Sequence, residues 1–412
     1  MNDSATLVNQ IPCLMAINAR PQQVFVRGQG AWLWDAQGQR YLDWLQGWAV
    51  NALGHCPPVL TQALAVQSQR LLTPSPAFYN APSLELAALL CELSGLDQVF
   101  FGSTGAEANE TAIKLARKWG RLHRGGAFQI ITFDNAFHGR NLATMAASGK
   151  PGWDQMFAPH MPGFLKAKLN DLDSVKAQLS AHCTAVMLEL VQGEAGVQPA
   201  TLAFVQALRA LCDEHGLLLI VDEVQTGCGR LGQMFGFEGY GVRPHIMTLG
   251  KGLGGGVPLS AVLARQHASV FEWGDHGGTL AGNPLMCAVG LAMVRELARP
   301  AFLAQVRARG AHMEQGLRAI SEEFGLGEVR GKGLLWALEL GGLSGPELVH
   351  ACHTLGLLLN APRPHCLRFM PPLNMTELEL QNGLSLLRQA LTALSGQRLG
   401  GSSASRLESL CK

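Results

Sequence analysis

The chain has 412 residues, of which 48% are apolar and only 15% are charged. This composition supplies a large core and excludes a disordered polyampholyte, which could not bury enough apolar surface to fold. Lysine and arginine number 32 against 31 aspartate and glutamate residues, so no excess of positive charge is available to bind a nucleic acid or an acidic membrane surface.

Apolar periodicity then predicts the elements in chain order. Short strands punctuated by glycines are expected at 24–26, 31–34 and 41–44. From about residue 83, predicted helices at 83–94, 107–119, 201–215, 281–297 and 301–324 alternate with predicted strands at 98–101, 129–133, 184–189, 217–222 and 259–264. The last part of the chain is expected to add a strand at 333–340, helices near 345–355 and 376–394, and a mobile tail from 395. The alternation predicts an α/β fold with a mostly parallel sheet flanked by helices.

Neither a leader nor a membrane helix is predicted. Apolar runs such as 86–91 and 217–221 are far shorter than the roughly 18 residues that a membrane helix needs. The 10 cysteines form no CxxC pair, which favours buried thiols over disulfides or a zinc site. We therefore expect a cytoplasmic protein that binds no metal.

The first chemical signal is an acid that directly follows an aliphatic run. Asp222 comes after Leu217 to Val221, at the end of a strand where open α/β sheets bind ligands. Such a carboxylate could ligate a metal, bind a ribose or pair with a cationic ring nitrogen. A structural cap of the following loop is the alternative.

The second signal is a lysine within the glycine-rich segment 250–256. Its glycines spell GxGxxG, but Val257 and Pro258 follow where a dinucleotide site needs a helix. A Walker A loop also fails, because Gly252 occupies the position of its Ser or Thr. Lys251 is a Schiff-base candidate if it is kept from water, since burial depresses the pKa of an amine; an exposed loop lysine is the alternative.

Two further turns complete the pattern. A small-residue turn around Thr104 leads into a helix, and the free N–H groups of a helix N-terminus suit a phosphate, although a simple N-cap is an equally ordinary use. After the strand at 129–133, Phe137 could stack on a flat ring and Arg140 could hold a carboxylate. A phosphate anchor, a stacking aromatic, a strand-end acid and a lysine amine together suit pyridoxal 5′-phosphate (PLP).

Taken together, these segments resemble those of the fold-type I, class III aminotransferases, and the resemblance covers about residues 25–394. The matching segments are 103–110, 137–140, 191–194, 222–230, Lys251 and 279–284. Within the class, 41–55 and 78–80 are most similar to enzymes that act on N-acetylornithine. The resemblance implies a large PLP-binding domain at 56–305 and a smaller α+β domain formed by both chain ends, 1–55 and 306–412.

The resemblance also implies roles for individual residues. Lys251 would form the Schiff base and move the proton, and Asp222 would pair with the pyridine nitrogen. The other implied cofactor contacts are Thr104, Gly105, Ala106, Phe137, His138, Glu223, Val224, Gln225 and, from the partner subunit of a homodimer with shared active sites, Thr279. The implied substrate contacts are Arg140, Gly278, Arg368 for the α-carboxylate of glutamate, and Glu194, which would neutralise an arginine while the other amino substrate is bound.

The reaction so implied moves the terminal amino group of N-acetylornithine to 2-oxoglutarate by a ping-pong mechanism, a step of arginine biosynthesis. Succinylornithine, ornithine and 4-aminobutyrate are alternative donors, because Trp48, Ala106 and Gly278 depart from the residues usual in the class. A catalytically silent PLP-fold binding subunit is the other alternative. It predicts the loss of Lys251 or Asp222, and both are present.

Overall fold

Apolar strands that alternate with helices along the chain form one seven-stranded sheet. A computed structural model describes the backbone of residues 7–408 and the side chains of residues 7–395. The strands are β1 (Phe25–Gln29), β2 (Trp32–Asp35), β3 (Arg40–Asp43), β4 (Gln98–Gly102), β5 (Gln129–Phe133), β6 (Phe164–Ala167), β7 (Cys183–Glu189), β8 (Val191–Gln192), β9 (Gln198–Pro199), β10 (Leu218–Asp222), β11 (Ile246–Leu249), β12 (Ser260–Ala264), β13 (Val329–Lys332), β14 (Leu335–Glu339), β15 (Leu357–Leu358), β16 (Asn360–Arg363) and β17 (Cys366–Phe369). The helices are α1 (Pro58–Ser68), α2 (Ala81–Ser94), α3 (Gly105–His123), α4 (Leu142–Ala147), α5 (Leu172–Lys176), α6 (Leu202–Glu214), α7 (Pro284–Leu297), α8 (Pro300–Phe324), α9 (Gly345–Thr354) and α10 (Glu377–Glu408).

The seven-stranded sheet has the order β4-β12-β11-β10-β7-β5-β6. Its neighbours from β11 to β6 pair in parallel, and β12 runs antiparallel to both β11 and β4. Every residue of β7 and β10 is buried, as strands covered by helices on both faces require. The α/β prediction with a mostly parallel sheet is confirmed.

The N-terminus of helix α3 is positioned by a local hydrogen-bond motif and by packing on the sheet. The side chain of Thr104 accepts a hydrogen bond from the backbone N–H of Glu107, and the carboxylate of Glu107 accepts one from the backbone N–H of Thr104, so that a capping box begins the helix. The apolar face of the helix, with Ala112 and Leu115 among its buried residues, packs on the sheet. The N-terminus of α3 is thereby held beside the carboxyl ends of the strands.

Three smaller sheets lie outside this sheet: the two-stranded pair β8-β9 and two sheets of four strands each. One has the order β1-β2-β3-β15, and β15 pairs in parallel with β3 through Leu357 and Leu42. The other has the order β13-β14-β17-β16. Strands from the two ends of the chain therefore share a sheet, while the predicted domain boundaries at 55/56 and 305/306 stay predictions.

The predicted helices and strands from 83 to 324 are all present, within three residues at each end except for the last turn of α3. Sequence periodicity missed α1, α4, β6 and β11, which are short or lack a clear polar face. Helix α10 extends to Glu408, beyond the predicted end at 394, and residues 409–412 lie outside the described part of the chain.

Two properties of residues 7–408 concern membrane spans and metal binding. None of the helices there combines the length and the hydropathy needed to cross a membrane. In the same residues, no group of three or more histidine, cysteine, aspartate and glutamate side chains is arranged to hold a metal ion.

Candidate active site

A cleft of about 260 Å³ opens at the carboxyl ends of β5, β7 and β10, beside the N-terminus of α3. This is the edge at which open parallel sheets bind their ligands. The residues that line it are Gly105, Ala106, Asn109, Phe137, His138, Gly139, Arg140, Glu189, Glu194, Asp222, Val224, Gln225 and Lys251. The structure therefore gathers ten residues that sequence analysis assigned to the site, from segments far apart in the chain.

The floor of the cleft is built around the carboxylate of Asp222. Its Oδ2 accepts hydrogen bonds from Asn109 Nδ2 at 2.7 Å and from His138 Nδ1 at 2.8 Å. Its Oδ1 accepts from Val224 N at 3.0 Å and lies 3.4 Å from Thr248 Oγ1. Because Asn109, His138 and Val224 all donate, Asp222 is stabilised as an anion inside a buried site.

The same contacts orient His138. Since a carboxylate can only accept, the Nδ1 of His138 carries a proton toward Asp222. Asn109 Nδ2 also donates to the backbone oxygen of His138 at 2.7 Å, and Thr248 Oγ1 donates to Asn109 Oδ1 at 2.8 Å. Asp222 is therefore a fixed negative charge within a network, and the prediction of a mere loop cap does not account for these contacts.

Lys251 follows β11 on the adjacent strand and adopts a φ of 41°, in the left-handed region that a side chain disfavours. Such strain costs on the order of 1–3 kcal/mol and is typical of functional sites. Burial lowers the pKa of Lys251, and Arg368 lowers it further, while Asp222, Glu189 and Glu194 raise it. A lysine with a lowered pKa is neutral for a larger fraction of the time and so available as a nucleophile.

At the N-terminus of α3, the backbone approaches the floor of the cleft closely. A Cβ added to Gly105 would lie 2.6 Å from Val224 Cγ1, so only glycine fits there without a shift. The first N–H groups of the helix have no acceptor within it, and they form an anion-binding cradle. The side chain of Thr104 is occupied by the capping box and does not line the cleft.

Aromatic rings close one side. Phe137 lines the cleft, and its ring centroid lies 5.8 Å from that of Trp153 at an angle of 65°. The backbone N–H of Phe137 donates to Glu189 Oε1 at 2.8 Å. Burial raises the pKa of Glu189 well above its usual range, and the neighbouring Asp222 raises it further. Glu189 therefore ionises less readily than an exposed glutamate.

A guanidinium and a carboxylate meet beside the cleft, where Glu194 lines the cavity and Arg368 lies behind it. Arg368 is fully buried, its Nη2 lies 2.9 Å from Glu194 Oε1, and its Nη1 has no hydrogen-bond partner in the described part of the chain. The other oxygen of Glu194, Oε2, lies 3.4 Å from Lys150 Nζ. Arg368 and Lys150 together lower the pKa of Glu194 against the effect of burial, so Glu194 is ionised.

Trp48 covers this pair from a strained turn. Its ring centroid lies 5.4 Å from Arg368 Cζ, within the range of a cation–π contact. The φ angles at 46–49 are 48°, 60°, 66° and 67°, although only Gly47 tolerates that region freely. A left-handed turn of this kind costs roughly 1–2 kcal/mol for each residue with a side chain. The surrounding structure therefore imposes this position on Trp48.

Some predicted site residues lie elsewhere. The carboxyl of Glu223 turns away from the cleft and accepts from the backbone N–H groups of Gly236 and Phe237 at 2.6 and 2.7 Å. Gly278 and Thr279 line a second cavity, of about 350 Å³, together with Tyr79. In a single chain, these residues do not join Lys251 and Asp222.

Sequence analysis assigned no role to Asn109, Thr248, Glu189 or Lys150. Asn109 lay inside a matching motif, which could have singled it out. The other three stand in segments with no motif of their own, and only the packing of β7, β11 and the loop after α4 brings them to the cleft.

Comparison with known proteins identifies the family. The family model for class III aminotransferases matches residues 15–391. The chain belongs to the class III aminotransferases. It is 57% identical to acetylornithine aminotransferase 2 of Bordetella bronchiseptica over 388 residues, which are 93% of this chain and 98% of that protein.

Solved structures of aminotransferases have the same fold. N-acetylornithine aminotransferase from Stenotrophomonas maltophilia K279a is 37% identical with a TM-score of 0.81, covering 93% of this chain and 99% of that one. Ornithine aminotransferase from Toxoplasma gondii ME49 is 31% identical with a TM-score of 0.91, covering 96% of each chain. The resemblance drawn from the motifs is confirmed. The prediction that the chain is an aminotransferase that uses PLP is confirmed as well.

The cleft of this class III aminotransferase fits that cofactor. Gly105 leaves room beside the free N–H groups of α3, which suits a phosphate. The buried anion of Asp222 suits a protonated ring nitrogen, and Lys251 supplies an amine of lowered pKa. Phe137 and Val224 line the same cleft, where a flat ring could lie between them.

Proposed function

We propose that this aminotransferase moves the terminal amino group of N-acetylornithine to 2-oxoglutarate and releases glutamate. The observation that supports it most directly is the pair of Arg368 and Glu194, a buried cation with a carboxylate held against it beside the cleft. The printed name of the Bordetella bronchiseptica relative, acetylornithine aminotransferase 2, supports the donor. A pathway step in arginine biosynthesis follows from that donor.

In this proposal, the cofactor supplies an electron sink for the carbon that exchanges its amino group. Asp222 would hold a protonated ring nitrogen, and Gly105 and Ala106 would hold the phosphate through their N–H groups. Val224 and Phe137 would hold the ring by packing, and Gln225 by a polar contact. All of these residues line the cleft, and Asp222 is fixed there by hydrogen bonds from Asn109, His138 and Val224.

Lys251 both holds the cofactor and moves the proton. Its amine would hold the cofactor as a nucleophile, and the same amine in its neutral form would accept the proton of the substrate carbon and return it. The lowered pKa supports both steps, since a neutral amine is needed for attack and for accepting a proton.

The Arg368–Glu194 pair answers the need to bind two different amino substrates in turn. With glutamate or 2-oxoglutarate, the α-carboxylate takes the guanidinium of Arg368, and Glu194 must withdraw. With N-acetylornithine, the reacting end carries no carboxylate, and Glu194 keeps Arg368 neutralised. Arg140, exposed at the edge of the cleft, is placed to bind the far carboxylate of the donor.

A homodimer would complete the site. Gly278 and Thr279 lie in the second cavity, on a face where Phe78 is 71% exposed and Tyr79 is 89% exposed. Large aromatic residues left in water indicate a surface that is covered by a partner. We propose that a second copy covers this face and that each Thr279 reaches the phosphate in the neighbouring cleft.

The donor is tested by steady-state assays of glutamate formation from 2-oxoglutarate with four amines: N-acetylornithine, succinylornithine, ornithine and 4-aminobutyrate. We expect the highest kcat/KM for N-acetylornithine. Ornithine is the specific competitor, because the Toxoplasma gondii ornithine aminotransferase shares the fold at a TM-score of 0.91. A higher kcat/KM for ornithine would contradict the proposed donor, and activity that survives Lys251→Ala would contradict the site.

The proposal includes a location in the cytoplasm. The nine cysteines in the described part of the chain are all free thiols, and six of them are buried. Free buried thiols are typical of proteins that live in a reducing compartment. Fractionation of cells expressing the protein at native level tests this, with activity in the periplasmic or secreted fraction as the contradicting result.

A further inference from the structure

Glu194 has two cationic partners, and only one of them belongs to the proposed substrate switch. Its Oε1 faces Arg368 Nη2 at 2.9 Å and its Oε2 faces Lys150 Nζ at 3.4 Å. The lysine comes from the loop after α4, whereas β17 carries Arg368. The carboxylate thus bridges two cations beside the cleft.

Lys150 is oriented by aromatic rings. Its Nζ lies 5.7 Å from the ring centroid of Phe137 and 5.4 Å from that of Trp153. These two rings contact each other edge to face, and both make cation–π contacts with the ammonium group of Lys150. Arg140 also lies over Trp153, at 5.5 Å, on the same wall of the cleft.

The two cations differ in what else can reach them. Arg368 is fully buried and keeps Nη1 unpaired among the described residues, which leaves it ready for a substrate carboxylate. The side chain of Lys150 is 29% exposed and that of Glu194 is 28% exposed. When a substrate carboxylate takes Arg368, Glu194 is left as a partly buried anion, and an uncompensated charge there is costly.

We propose that Lys150 is the second partner of the switch: it holds the Glu194 carboxylate while glutamate or 2-oxoglutarate occupies Arg368. The inference rests on the proposed function, because it requires two substrates that use Arg368 differently. Lys150 acts through Glu194 and is a positioning residue. It lowers the free-energy cost of releasing Arg368 without contacting the substrate.

Lys150→Met tests this, because the variant keeps the aliphatic chain against Phe137 and Trp153 while it removes the charge. We expect the KM for 2-oxoglutarate and for glutamate to rise about three- to fivefold, the upper part of the range of an exposed ion pair. The KM for N-acetylornithine should stay within about twofold, because Glu194 does not leave Arg368 in that half-reaction. Lys150→Arg should restore most of the affinity for glutamate.

A double-mutant cycle separates this role from direct substrate binding. In a Glu194→Gln background, Lys150→Met should change no KM, because the carboxylate that Lys150 holds is gone. Lys176→Met is the matched control, since Lys176 pairs with Asp173 at 3.1 Å on an exposed helix far from the cleft. It should leave all three KM values unchanged.

Three results would overturn the inference. An equal rise in KM in the Glu194→Gln background means that Lys150 binds the substrate itself. A parallel rise for all three substrates, or no rise at all, means that it has no part in the switch. If instead the wild-type protein exchanges no amino group with glutamate or 2-oxoglutarate, it is the proposed function that fails, and this is measured first.

Discussion

The carboxylate of Asp222 and the imidazole of His138 lie 2.8 Å apart, although 84 residues separate them in the chain. Asp222 ends β10, and His138 lies in the loop that follows β5, so the contact crosses β7 at the edge of the sheet. His138 Nε2 is buried and has no hydrogen-bond partner among residues 7–395. The histidine therefore presents one N–H to the anion and helps to fix the negative charge on which the proposed cofactor site depends.

Removal of that charge is the first prediction. Asp222→Asn keeps the size of the side chain but converts two charge-assisted hydrogen bonds into neutral or repulsive contacts with Asn109 and His138. The change would also remove one charge-assisted hydrogen bond to the ring nitrogen, and because such a bond contributes about 1.5–3 kcal/mol, we expect PLP to bind about 10- to 100-fold more weakly. Equilibrium dialysis of PLP measures it.

Asp213→Asn is the control for this change, because Asp213 is also ion-paired, to Arg209 at 2.6 Å, but on the exposed surface of α6. It should bind PLP like the wild type. Equal PLP affinity in Asp222→Asn and the wild type would remove Asp222 from the cofactor site.

The second prediction concerns the close approach at Gly105. In Gly105→Ala, the new methyl group would meet Val224 Cγ1 at 2.6 Å and force the start of α3 away from the floor of the cleft. We expect a loss of PLP affinity of about tenfold or more, the range of an overpacking strain of 1–3 kcal/mol. In Gly342→Ala, an added Cβ meets nothing within 4 Å, so that variant should bind PLP normally.

In Gly105→Ala/Val224→Ala, the second change removes the two Val224 methyl groups with which the new methyl group at position 105 would collide. This double variant should recover PLP affinity relative to Gly105→Ala if the clash is the cause. No recovery would point to a different role for the glycine.

Arg140 carries the third prediction. Its guanidinium lies over Trp153 at 5.5 Å and is exposed at the cleft. If it binds the far carboxylate of the donor, Arg140→Ala should raise the KM for N-acetylornithine about 10- to 100-fold, as expected for the loss of a bidentate charged contact. Arg121→Ala, an exposed arginine at the far end of α3, should not change it. An unchanged KM in Arg140→Ala would show that the donor carboxylate binds elsewhere.

The positions of the motifs explain why so much of this site could be predicted. Asp222, Lys251 and Phe137 each follow a run of buried apolar residues, and the ends of parallel strands meet at one edge of a sheet. Thr104 was predicted as a phosphate ligand, but the capping box uses its hydroxyl, because Glu107 stands at the third position of the helix.

The residues that sequence analysis missed depend on contacts between distant segments. Thr248 reaches Asn109 across 139 residues, and Lys150 reaches Glu194 across 44. Nothing local marks these residues as partners. The left-handed turn at 46–49 could not be expected either, because three of its four residues carry side chains that disfavour it.

Glu223 gives a prediction for stability. It was predicted to contact the cofactor, but it is fully buried under the turn at 236–237, and burial raises its pKa to about 8. Its pKa in the unfolded chain is about 4.3. As the pH rises between these values, the unfolded state loses the proton while the folded state keeps it, so the folded state loses stability.

For wild-type protein, the loss attributable to Glu223 should be on the order of 4 kcal/mol between about pH 5 and pH 9. Glu223→Gln cannot titrate and should lack this part of the pH dependence, even if it is less stable at pH 5. Urea unfolding of both proteins across that range measures the difference. Parallel pH profiles would show that Glu223 is ionised in the folded protein.

The proposed function requires this chain to exchange an amino group between N-acetylornithine and its cofactor. The visible absorption spectrum of the purified, PLP-loaded protein tests it most directly, before and after addition of N-acetylornithine without any oxo acid. We predict a yellow band that bleaches as the cofactor takes up the amino group, and that returns when 2-oxoglutarate is added. A band that ignores N-acetylornithine but bleaches with glutamate would contradict the donor, and a protein that cannot be loaded with PLP would contradict the whole account.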